Sequence, residues 1–486
     1  MPLNNAMHPI AKLDHQFVWH PFTQMKEWLK REPIVITEAR GAVLRDVHGR
    51  EYLDANSSIW TNLHGHGHPR INAAIQEQLK KIAHSSALGF ANEPASLLAE
   101  KLVRLATPKW LFNRPGSMLR NPPLRKVFFS DDGSTAMEVA LKLAYEYARR
   151  SGLSPKPRFI SLQGAYHGDT VGAVSLGHID LFHSAYSGLL FKSDKVMAPY
   201  CYRCPFNKAA AERADARLFR KCKWECVGKV EKKFATQKKT NNPYAGLVIE
   251  PLMQGAAGMI PQPAGWLGRV AEIARGQKAL IIADEVMTAF GRMGAGTNGR
   301  QGALFASHIE GVQPDFMAVA KGLTGGYLPM AATLTTPEVF KAFLGDYEEF
   351  KTFFHGHSFT GNQLGAAASL ASLELLESDE SVAARRRIEN ALETELPALW
   401  RLPAVGDVRR VGLVVGIELV KNWRTRAPFS LREKAGIRVC EAMARRGVLT
   451  RPIGNVLVLM PPYCSTRAQV RKMVTAVYES IEEILG

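Results

Sequence analysis

Residues 279–286 read ALIIADEV, and residues 316–322 read FMAVAKG. Each stretch is a short apolar run that ends in charged residues, Asp284 and Glu285 in the first and Lys321 in the second. Short runs of this kind, set between helical patterns, are typical of buried strands in a mostly parallel sheet covered by helices. Ligands of such sheets bind at the carboxyl ends of the strands. The first stretch therefore predicts a strand that carries Asp284 to a ligand-binding crevice.

The same alternation of strand and helix patterns continues through the middle of the chain. We expect further strands at Lys126–Ser130, Arg158–Leu162, Gly246–Glu250 and Met330–Leu334. After the first of them, apolar residues recur at three- and four-residue spacing over residues 137–148, which indicates a helix and the start of a βαβ unit. The predicted fold class is α/β, with a mostly parallel central sheet flanked by helices and a smaller α+β C-terminal domain.

Changes in these patterns divide the chain into three parts. Residues 1–70 have the pattern of an arm with a small hairpin, which we expect to join the small domain. Residues 71–344 form the predicted large domain, in which residues at about 185–245 have the pattern of an insertion. Residues 345–486 carry longer helical patterns between short strands and form the predicted small C-terminal domain.

The composition is that of a globular protein without a membrane span. Of the 486 residues, 46% are hydrophobic and 22% are charged, and no apolar run approaches the roughly 20 residues that cross a bilayer. The first residues lack the basic and apolar regions of a secretory signal, and six cysteines are too few for a disulfide framework. We therefore expect a cytoplasmic protein with no membrane partner.

Basic residues exceed acidic residues by 62 to 45, which favours anionic ligands. Much of this excess lies between Lys208 and Lys239, inside the predicted insertion. A charge-dense surface helix explains the run better than a nucleic-acid site, because aromatic residues that stack on bases are sparse in it. No nucleic-acid partner is therefore expected.

A candidate phosphate site follows the strand at Lys126–Ser130. Residues 130–135 read SDDGST, and Gly133 permits a sharp turn into the next helix. The free N–H groups of a first helical turn, with the hydroxyls of Ser134 and Thr135, can hold a phosphate where the helix dipole favours an anion. Asp, Ser and Thr are also ordinary helix N-caps, so the stretch alone leaves both interpretations open.

Asp284 and Lys321 also have two interpretations each. A lysine that is partly withdrawn from water becomes a better nucleophile, whereas most lysines at strand ends extend into solvent. An Asp-Glu pair after a strand is commonly a solvated turn. Asp284, Lys321 and the candidate phosphate site at Gly133 and Ser134 together indicate pyridoxal 5'-phosphate (PLP). The lysine would hold its aldehyde as a Schiff base, the acid would keep its pyridine nitrogen protonated, and the helix would bind its phosphate.

The sequence resembles the class III aminotransferases of PLP fold type I, on LIIADEVMTAFGRMG at residues 280–294 and PDFMAVAKGLTGGYLPMAA at residues 314–332. More narrowly, WHPFTQM, GAYHGDTVGAVSLG and TRPIGNVLVLMPP, at residues 19–25, 164–177 and 450–462, resemble members that aminate 8-amino-7-oxononanoate in biotin synthesis. The resemblance covers nearly the whole chain. It implies a ping-pong transamination through pyridoxamine phosphate that yields 7,8-diaminononanoate.

The resemblance also implies roles for the cofactor residues. Lys321 would bind the cofactor and move the proton between substrate and cofactor, and Asp284 would pair with the pyridine nitrogen. Gly133 and Ser134 would bind the phosphate. Tyr166 would stack on the pyridine ring.

The family is homodimeric, with active sites that the two subunits share. By the resemblance, the partner subunit's Ser358 would reach the phosphate. The expected partners are therefore a second copy of the chain and small-molecule substrates.

The implied substrate contacts are Phe22, Ile59, Trp60, Asp169, Arg292 and Arg451. Asp169 fits the position that recognises amino groups, and Arg451 fits that of an arginine that binds a carboxylate with both of its nitrogens. The chain has Phe22 and Ile59 where many members have tyrosine and tryptophan, and Val458 where they have tyrosine. Because these changes affect the substrate walls, the amino donor stays open between S-adenosylmethionine and lysine.

Two other functions share part of this evidence. Another class III enzyme, such as an ω-amine:pyruvate or diamine aminotransferase, would keep every cofactor residue. A zinc or nucleic-acid-binding module without enzymatic activity would rest on Cys201, Cys204, Cys222, Cys226 and the basic run alone. The cysteine spacing is close to that of a zinc site. The same loop occurs in aminotransferases without an obvious need for metal, so no metal is expected.

Overall fold

The computed structural model describes residues 7–108, 122–294 and 303–486. The strands, in chain order, are β1 (Ile36–Arg40), β2 (Val43–Asp46), β3 (Glu51–Asp54), β4 (Lys126–Ser130), β5 (Arg158–Leu162), β6 (Asp194–Val196), β7 (Tyr244–Ile249), β8 (Met253–Gln254), β9 (Ile260–Pro261), β10 (Leu280–Asp284), β11 (Phe316–Val319), β12 (Ala331–Thr335), β13 (Val405–Val411), β14 (Val414–Asn422), β15 (Ala427–Pro428), β16 (Val448–Leu449), β17 (Pro452–Ile453) and β18 (Val456–Leu459).

The α-helices are α1 (Pro9–Phe17), α2 (Met25–Trp28), α3 (Pro69–Lys81), α4 (Glu93–Leu105), α5 (Gly133–Arg150), α6 (Val171–Leu176), α7 (Asp180–His183), α8 (Ala216–Phe219), α9 (Glu225–Lys238), α10 (Trp266–Gly276), α11 (Ala306–Ile309), α12 (Pro337–Lys341), α13 (Gln363–Glu377), α14 (Asp379–Glu395), α15 (Ala435–Arg445) and α16 (Arg467–Leu485). Short 3-10 helices lie at Ser184–Leu189, Cys201–Arg203, Lys321–Thr324, Tyr347–Glu349, Leu396–Arg401 and Leu431–Glu433. Within the three described ranges, no helix is both long and apolar enough to cross a membrane.

The central sheet has seven strands in the order β4-β12-β11-β10-β7-β5-β6. The pairs from β11 to β6 are parallel, whereas β12 runs antiparallel to both β11 and β4. The prediction of a mostly parallel sheet is therefore confirmed. The predicted strands Lys126–Ser130 and Arg158–Leu162 keep their bounds, and the others in this sheet shift by at most two residues at either end.

Both faces of the central sheet are covered by helices. On one face, Ile282 and Phe316 pack in a cluster with apolar residues of α5. On the other face, Ile281 packs in a cluster with apolar residues of α10. Successive residues of a strand point to opposite faces, so a strand covered on both sides is apolar throughout. This is why the strands appear in the sequence as continuous apolar runs.

The strand directions bring three chemical features to one edge of the sheet. β4 and β11 are both antiparallel to β12, so they run in the same direction as each other and as β10. Their carboxyl ends therefore lie at the same edge. The segments that leave this edge are the start of α5 at Gly133, the end of β10 at Asp284 and the turn at Lys321.

The N-terminal and C-terminal parts of the chain are joined by main-chain pairing. β1, β2, β3 and β16 form a four-stranded sheet, in which Leu53 of β3 lies opposite Val448 of β16. β13, β14, β18 and β17, with β15 beside β14, form a separate five-stranded sheet. The pairing of β3 with β16 therefore joins the N-terminal arm to the C-terminal part of the chain, and the division into domains stays a prediction.

The basic run of Lys208–Lys239 is helical only in part. As predicted, α9 places most of its charged residues at the surface and buries an apolar face. Before α9, however, Arg213 turns inward and donates to the carbonyls of Leu402 and Val405, each at 2.6 Å. It also donates to the carbonyl of Trp400. Arg213, one of the basic residues of this run, therefore binds the predicted insertion to the C-terminal region instead of facing solvent.

Candidate active site

A cavity of about 440 Å³ lies at the carboxyl edge of the central sheet. Gly133, Ser134, Tyr166, Asp284 and Lys321 all line it. These residues are far apart in the sequence. The parallel strands bring them together, as expected for a ligand crevice in a sheet of this kind.

Lys321 follows the last residues of β11 and begins a short 3-10 helix. Its φ angle of 44° turns the chain sharply away from the strand direction. The side chain lines the cavity, and its Nζ lies 4.8 Å from the ring centroid of Trp60. Burial lowers the pKa of Lys321, and the carboxylates of Asp284 and Glu250 only partly oppose this effect. The amine therefore loses its proton more readily than that of an exposed lysine, which favours the nucleophile over a solvent-facing lysine.

Asp284 is the last residue of β10 and is buried. Its Oδ2 accepts a hydrogen bond from Nδ1 of His167 at 2.8 Å, and its Oδ1 accepts one from the N–H of Val286 at 3.1 Å. Glu285 is also buried, and it accepts hydrogen bonds from the N–H groups of Ala306 and Ser307. The interpretation of Asp284 and Glu285 as a solvated acid pair is therefore wrong. One faces the cavity, and the other binds the start of α11.

His167 is a site residue that the sequence analysis did not single out. It lies beside Tyr166 in the stretch GAYHGD and lines the cavity. Burial by itself would lower the pKa of His167, but the hydrogen bond and charge of Asp284 outweigh it and raise the pKa. Nε2 of His167 is buried and has no hydrogen-bond partner among the described residues. The sequence signal that could have identified His167 is its position directly after Tyr166, the residue expected to stack on the pyridine ring.

Glu250 directly follows β7 and interacts electrostatically with His167 and Asp284. Its carboxylate accepts hydrogen bonds from the N–H of Tyr166 at 3.3 Å and from that of Gly255 at 2.7 Å. Burial raises the pKa of Glu250 to about 7. The neighbouring Asp284 also raises it, whereas His167 lowers it. Glu250 therefore belongs to one buried polar network with His167 and Asp284.

The first turn of α5 divides its polar groups between two roles. The Asp132 carboxylate accepts from the N–H of Thr135 at 2.9 Å, and the Thr135 hydroxyl accepts from the N–H of Asp132 at 3.0 Å. This capping box uses Thr135, whose hydroxyl we had expected at the phosphate. The N–H groups of Gly133 and Ser134 have no recorded partner in the part of the chain that the structure describes. The N-cap interpretation is therefore confirmed, and phosphate binding by this stretch stays a prediction. We call the N–H groups of Gly133 and Ser134 the phosphate cradle.

Only glycine fits at the start of the cradle. A Cβ on Gly133 would lie 2.7 Å from Cγ1 of Val286, which lines the same cavity. The hydroxyl of Ser134 accepts a hydrogen bond from the N–H of Asp169 at 3.1 Å, which ties the cradle to the loop of Tyr166. The cradle is thus fixed from both sides.

Tyr166 and Asp169 form a hydrogen-bonded pair beside the cavity. The Tyr166 hydroxyl donates to Oδ2 of Asp169 at 2.6 Å. Burial raises the pKa of Tyr166, so the phenol keeps its proton at neutral pH. The Tyr166 ring also lies nearly parallel to that of His183, with centroids 6.4 Å apart.

The expected substrate walls lie partly on the cavity and partly outside it. Trp60 lines the cavity, whereas Ile59 beside it is exposed. Phe22 is also exposed, and its ring contacts Phe182 at a centroid distance of 5.2 Å. Phe182 in turn contacts Tyr166 at 6.3 Å. These aromatic rings form a chain from the cavity to the surface.

Arg451 lies at the outer end of this aromatic chain. It is exposed, and its Nη2 donates to the main-chain carbonyl of Phe22 at 3.0 Å. The structure therefore brings together Phe22 and Arg451, two residues that are distant in the sequence.

Arg292 does not line the cavity, contrary to the expectation of a substrate contact. It is only 1% exposed, and its guanidinium donates to the carbonyls of Asn62 at 2.8 Å and Pro461 at 3.1 Å. The guanidinium also lies 5.1 Å from the ring centroid of Tyr463. These contacts join two chain segments through Arg292 and place its guanidinium outside the residues that line the cavity.

Ser358 does not line the cavity of its own chain. It is exposed, and its carbonyl accepts a hydrogen bond from Nε2 of His84 at 2.9 Å. The expected contact of Ser358 with the phosphate site of a second copy of the chain therefore stays a prediction.

The cysteines expected to be free of metal lie together in the insertion. Cys201, Cys204, Cys222 and Cys226 line one very small cavity of about 10 Å³ and form no disulfide. Burial raises the pKa of Cys201 to about 12 and that of Cys226 to about 11. Across residues 7–108, 122–294 and 303–486, no group of three or more His, Cys, Asp or Glu side chains is arranged to hold a metal ion.

Comparison with known proteins agrees with this geometry. Residues 25–481 match the family model Aminotransferase class-III. The adenosylmethionine-8-amino-7-oxononanoate aminotransferase of Geobacter sulfurreducens is 45% identical over 473 residues, which cover 97% of each chain.

Solved structures extend the agreement to the fold. The crystal structure of adenosylmethionine-8-amino-7-oxononanoate aminotransferase from Methanocaldococcus jannaschii matches with a TM-score of 0.85 and 39% identity, over 98% of this chain and 99% of that chain. A PLP-bound amine transaminase from an uncultivated Pseudomonas species matches with a TM-score of 0.83 and 30% identity, over 96% of this chain and 98% of that chain. The chain therefore belongs to the class III aminotransferases, whose fold is PLP fold type I.

Proposed function

We propose that the chain is a PLP-dependent aminotransferase that converts 8-amino-7-oxononanoate to 7,8-diaminononanoate in biotin synthesis. One observation carries the catalytic part of the proposal: a phosphate cradle, a buried carboxylate and a partly buried lysine line the same cavity. The substrate is supported by the name of the Geobacter sulfurreducens relative, to which 97% of the chain aligns.

The residues that line the cavity fit PLP. The free N–H groups of the cradle suit its phosphate, and a Cβ at Gly133 would crowd the Val286 side chain that lines the same cavity. Asp284 suits the protonated pyridine nitrogen, and Lys321 suits the aldehyde. Tyr166 and Val286 both line the cavity and would cover the two faces of the ring.

When bound, PLP supplies an electron sink for the carbon that carries the amine. Lys321 would take the proton from that carbon and deliver it to the cofactor, which requires an amine that is neutral in part of the protein population. Its lowered pKa supports this role. The carboxylate of Asp284, hydrogen-bonded to His167, would hold the proton on the pyridine nitrogen.

Arg451 is our candidate for the carboxylate of the acceptor. A planar guanidinium matches a carboxylate through two parallel hydrogen bonds. The aromatic chain from Tyr166 through Phe182 to Phe22 leads from the cavity towards Arg451. A long apolar substrate with a carboxylate at one end suits such a path. Trp60 and Ile59 would complete the wall, and Asp169 would recognise an amino group.

The test of this function is product formation with defined substrates. The PLP-loaded protein is incubated with 8-amino-7-oxononanoate and either S-adenosylmethionine or L-lysine, and 7,8-diaminononanoate is measured by mass spectrometry. We expect product with one of the two donors, which also identifies the donor. Turnover of simple amines with pyruvate, without any amination of 8-amino-7-oxononanoate, would contradict the proposal and favour an ω-amine:pyruvate aminotransferase.

We also propose a homodimer in which each cavity is completed by the partner subunit's Ser358. Large exposed apolar side chains near this segment support an interface, among them Phe354, Phe359, Leu88 and Phe90. Complementation tests the arrangement. Lys321→Ala and Ser358→Ala chains are each assayed alone and then unfolded and refolded together. Because each mixed dimer regains one intact site, we expect up to about a quarter of wild-type activity. No recovery in verified mixed dimers would contradict shared sites.

We place the protein in the cytoplasm. All six cysteines are unpaired in the structure, which suits a reducing compartment. Fractionation of cells with an antibody against the chain tests this location, and recovery from a secreted fraction would contradict it.

A further inference from the structure

Four consecutive residues, Ser57–Trp60, have positive φ angles of 46°, 47°, 59° and 69°. L-amino acids avoid this left-handed conformation because Cβ comes too close to the following carbonyl oxygen, and it normally occurs at single residues. None of the four is glycine. We call this segment the left-handed turn. Such a run persists only where surrounding contacts hold it, and strain of this kind clusters at functional sites.

The carboxylate of Asp54 supplies contacts that hold the left-handed turn. Its Oδ1 accepts a hydrogen bond from the N–H of Ser58, and its Oδ2 accepts one from the Ser58 hydroxyl, both at 2.9 Å. Oδ2 also lies 3.0 Å from Nε2 of His66. On the other side of the turn, the Ser57 hydroxyl donates to the carbonyl of Met460 at 2.6 Å. Asp54 is only 3% exposed, so water competes little for its oxygens.

The left-handed turn ends in Trp60, whose indole forms part of the cavity wall. The ring centroid lies 4.8 Å from Nζ of Lys321. Gly255 leaves room for this placement, because a Cβ there would lie 3.3 Å from the indole. The indole therefore keeps water away from the lysine amine and offers it an aromatic face. The charged groups that act on this amine are the carboxylates of Asp284 and Glu250.

We propose that Asp54 is a positioning residue for Lys321: by holding the left-handed turn, it keeps the Trp60 indole over the lysine amine. Asp54 is not among the described residues that line the cavity, so it acts through Trp60. The inference rests on the proposed function, in which Lys321 carries the cofactor. The test nevertheless needs neither cofactor nor turnover, because it measures the titration of Lys321 in the cofactor-free chain.

Asp54→Asn is the direct test. Asparagine keeps the size of the side chain, but it has a single acceptor oxygen and no charge for His66. The cofactor-free full chain is acetylated over a range of pH, and the labelling of Lys321 is measured by peptide mass spectrometry. The midpoint of that profile is the titration midpoint of the lysine. We expect it to move to higher pH, because burial has the largest effect on the pKa of Lys321 and water reaches the amine once the indole is no longer held in place. Loss of the aromatic face acts in the opposite direction and offsets only part of this shift.

Asp46→Asn is the matched control. Asp46 lies in the same N-terminal sheet, is 2% exposed, and accepts hydrogen bonds from the N–H groups of His48 and Arg50 and from the Tyr52 hydroxyl. It makes no recorded contact with the left-handed turn. We expect a comparable loss of stability with an unchanged Lys321 midpoint. Equal shifts in Asp46→Asn and Asp54→Asn would mean general loosening and would overturn the proposal.

A second substitution tests whether Asp54 acts through the indole. In a Trp60→Leu background, we expect Asp54→Asn to cause no further shift of the Lys321 midpoint, since coupled residues are not additive. A full additional shift would mean that Asp54 acts by another route and would overturn the proposal.

Ser58→Ala keeps the test valid if Asp54→Asn does not fold. Ser58 is exposed, and the change removes only the hydroxyl that binds Asp54. We expect a smaller shift of the Lys321 midpoint in the same direction. The proposal would be overturned if Ser58→Ala leaves the Lys321 midpoint unchanged and Asp54→Asn either leaves it unchanged as well or does not fold.

The loaded enzyme provides a separate measurement. We expect Asp54→Asn to lower kcat on the order of 10- to 100-fold, as a small misplacement of a reacting group does. If the wild-type protein shows no turnover, the proposed function fails. The midpoint of Lys321 then still decides whether Asp54 positions the lysine.

Discussion

Replacing Gly133 by alanine tests the phosphate cradle. The new Cβ would lie 2.7 Å from Cγ1 and 3.1 Å from Cγ2 of Val286, whereas carbon atoms in ordinary contact are about 3.5–4.0 Å apart. Valine is branched at Cβ and has little rotational freedom, so it cannot swing aside easily. Gly133 has no positive φ angle, and the alanine therefore introduces crowding without backbone strain.

The size of the effect follows from this crowding. Overpacking by one methyl group costs about 1–3 kcal/mol. Because Val286 lines the cavity, part of this cost is relieved by moving the wall into the space of the cofactor. If all of it falls on binding, the affinity for PLP decreases by about 5- to 150-fold. Titration of the cofactor-free protein with PLP, followed by tryptophan fluorescence, measures the affinity, and denaturant unfolding measures the remaining cost.

Two further variants separate crowding from other causes. In Gly133→Ala with Val286→Ala, the nearest remaining atom is Cβ of residue 286 at 3.5 Å, so we expect PLP affinity to recover to that of the Val286→Ala single variant. Gly228→Ala is the control, because Gly228 lies inside α9 with nothing within 4 Å of the new Cβ. We expect it to leave PLP binding unchanged and to stabilise the helix by about 0.5–1 kcal/mol. Wild-type PLP affinity and stability in Gly133→Ala would refute the placement of the cradle.

Three other predictions concern the remaining groups of the site. Borohydride reduction of the PLP-loaded protein should fix the cofactor on the peptide that contains Lys321, and Lys321→Ala should lose this label completely; label on another lysine in the wild type would contradict the assignment. Arg451→Ala should raise the KM for 8-amino-7-oxononanoate by about 10- to 150-fold, since a hydrogen bond to a charged group contributes about 1.5–3 kcal/mol; an unchanged KM would remove Arg451 from the site. Burial raises the pKa of Glu250 from 4.5 to about 7 in the folded protein, so its contribution to stability is present below about pH 4.5 and is lost as the pH rises through 7. Between pH 5 and 8 the wild type should therefore lose on the order of 3 kcal/mol more unfolding free energy than Glu250→Gln, and parallel stability curves would contradict this pKa.

The central sheet and the core of the site were predictable from the sequence for a common physical reason. Strands covered on both faces must be apolar throughout, so a charged residue directly after such a run marks the strand's end. Asp284 and Lys321 were found in this way, and the parallel arrangement then places both at one edge. Gly133 was recognisable because a tight turn into a helix leaves few alternatives. These signals are local in sequence, and the sheet makes them neighbours in space.

Other features depend on contacts that a single sequence does not reveal. Nothing in the residue types of Ser57–Trp60 indicates positive φ angles, because the left-handed turn is imposed by Asp54 and its surroundings. Arginine is usually found at the surface, so the burial of Arg292 against main-chain carbonyls was unexpected. The same holds for Arg213, whose carbonyl partners lie in a distant part of the chain.

The antiparallel strand β12 has a consequence for how the protein folds. It lies between β4, which leads to the cradle, and β11, which leads to Lys321. Its pairing of Ala331 with Ser130 joins segments that are 201 residues apart in the sequence. Contacts of such large sequence separation form slowly, since the intervening chain must first lose conformational entropy. The two halves of the cofactor site meet only when this pairing is complete, so during refolding the capacity to bind PLP reports on the last stage of sheet assembly.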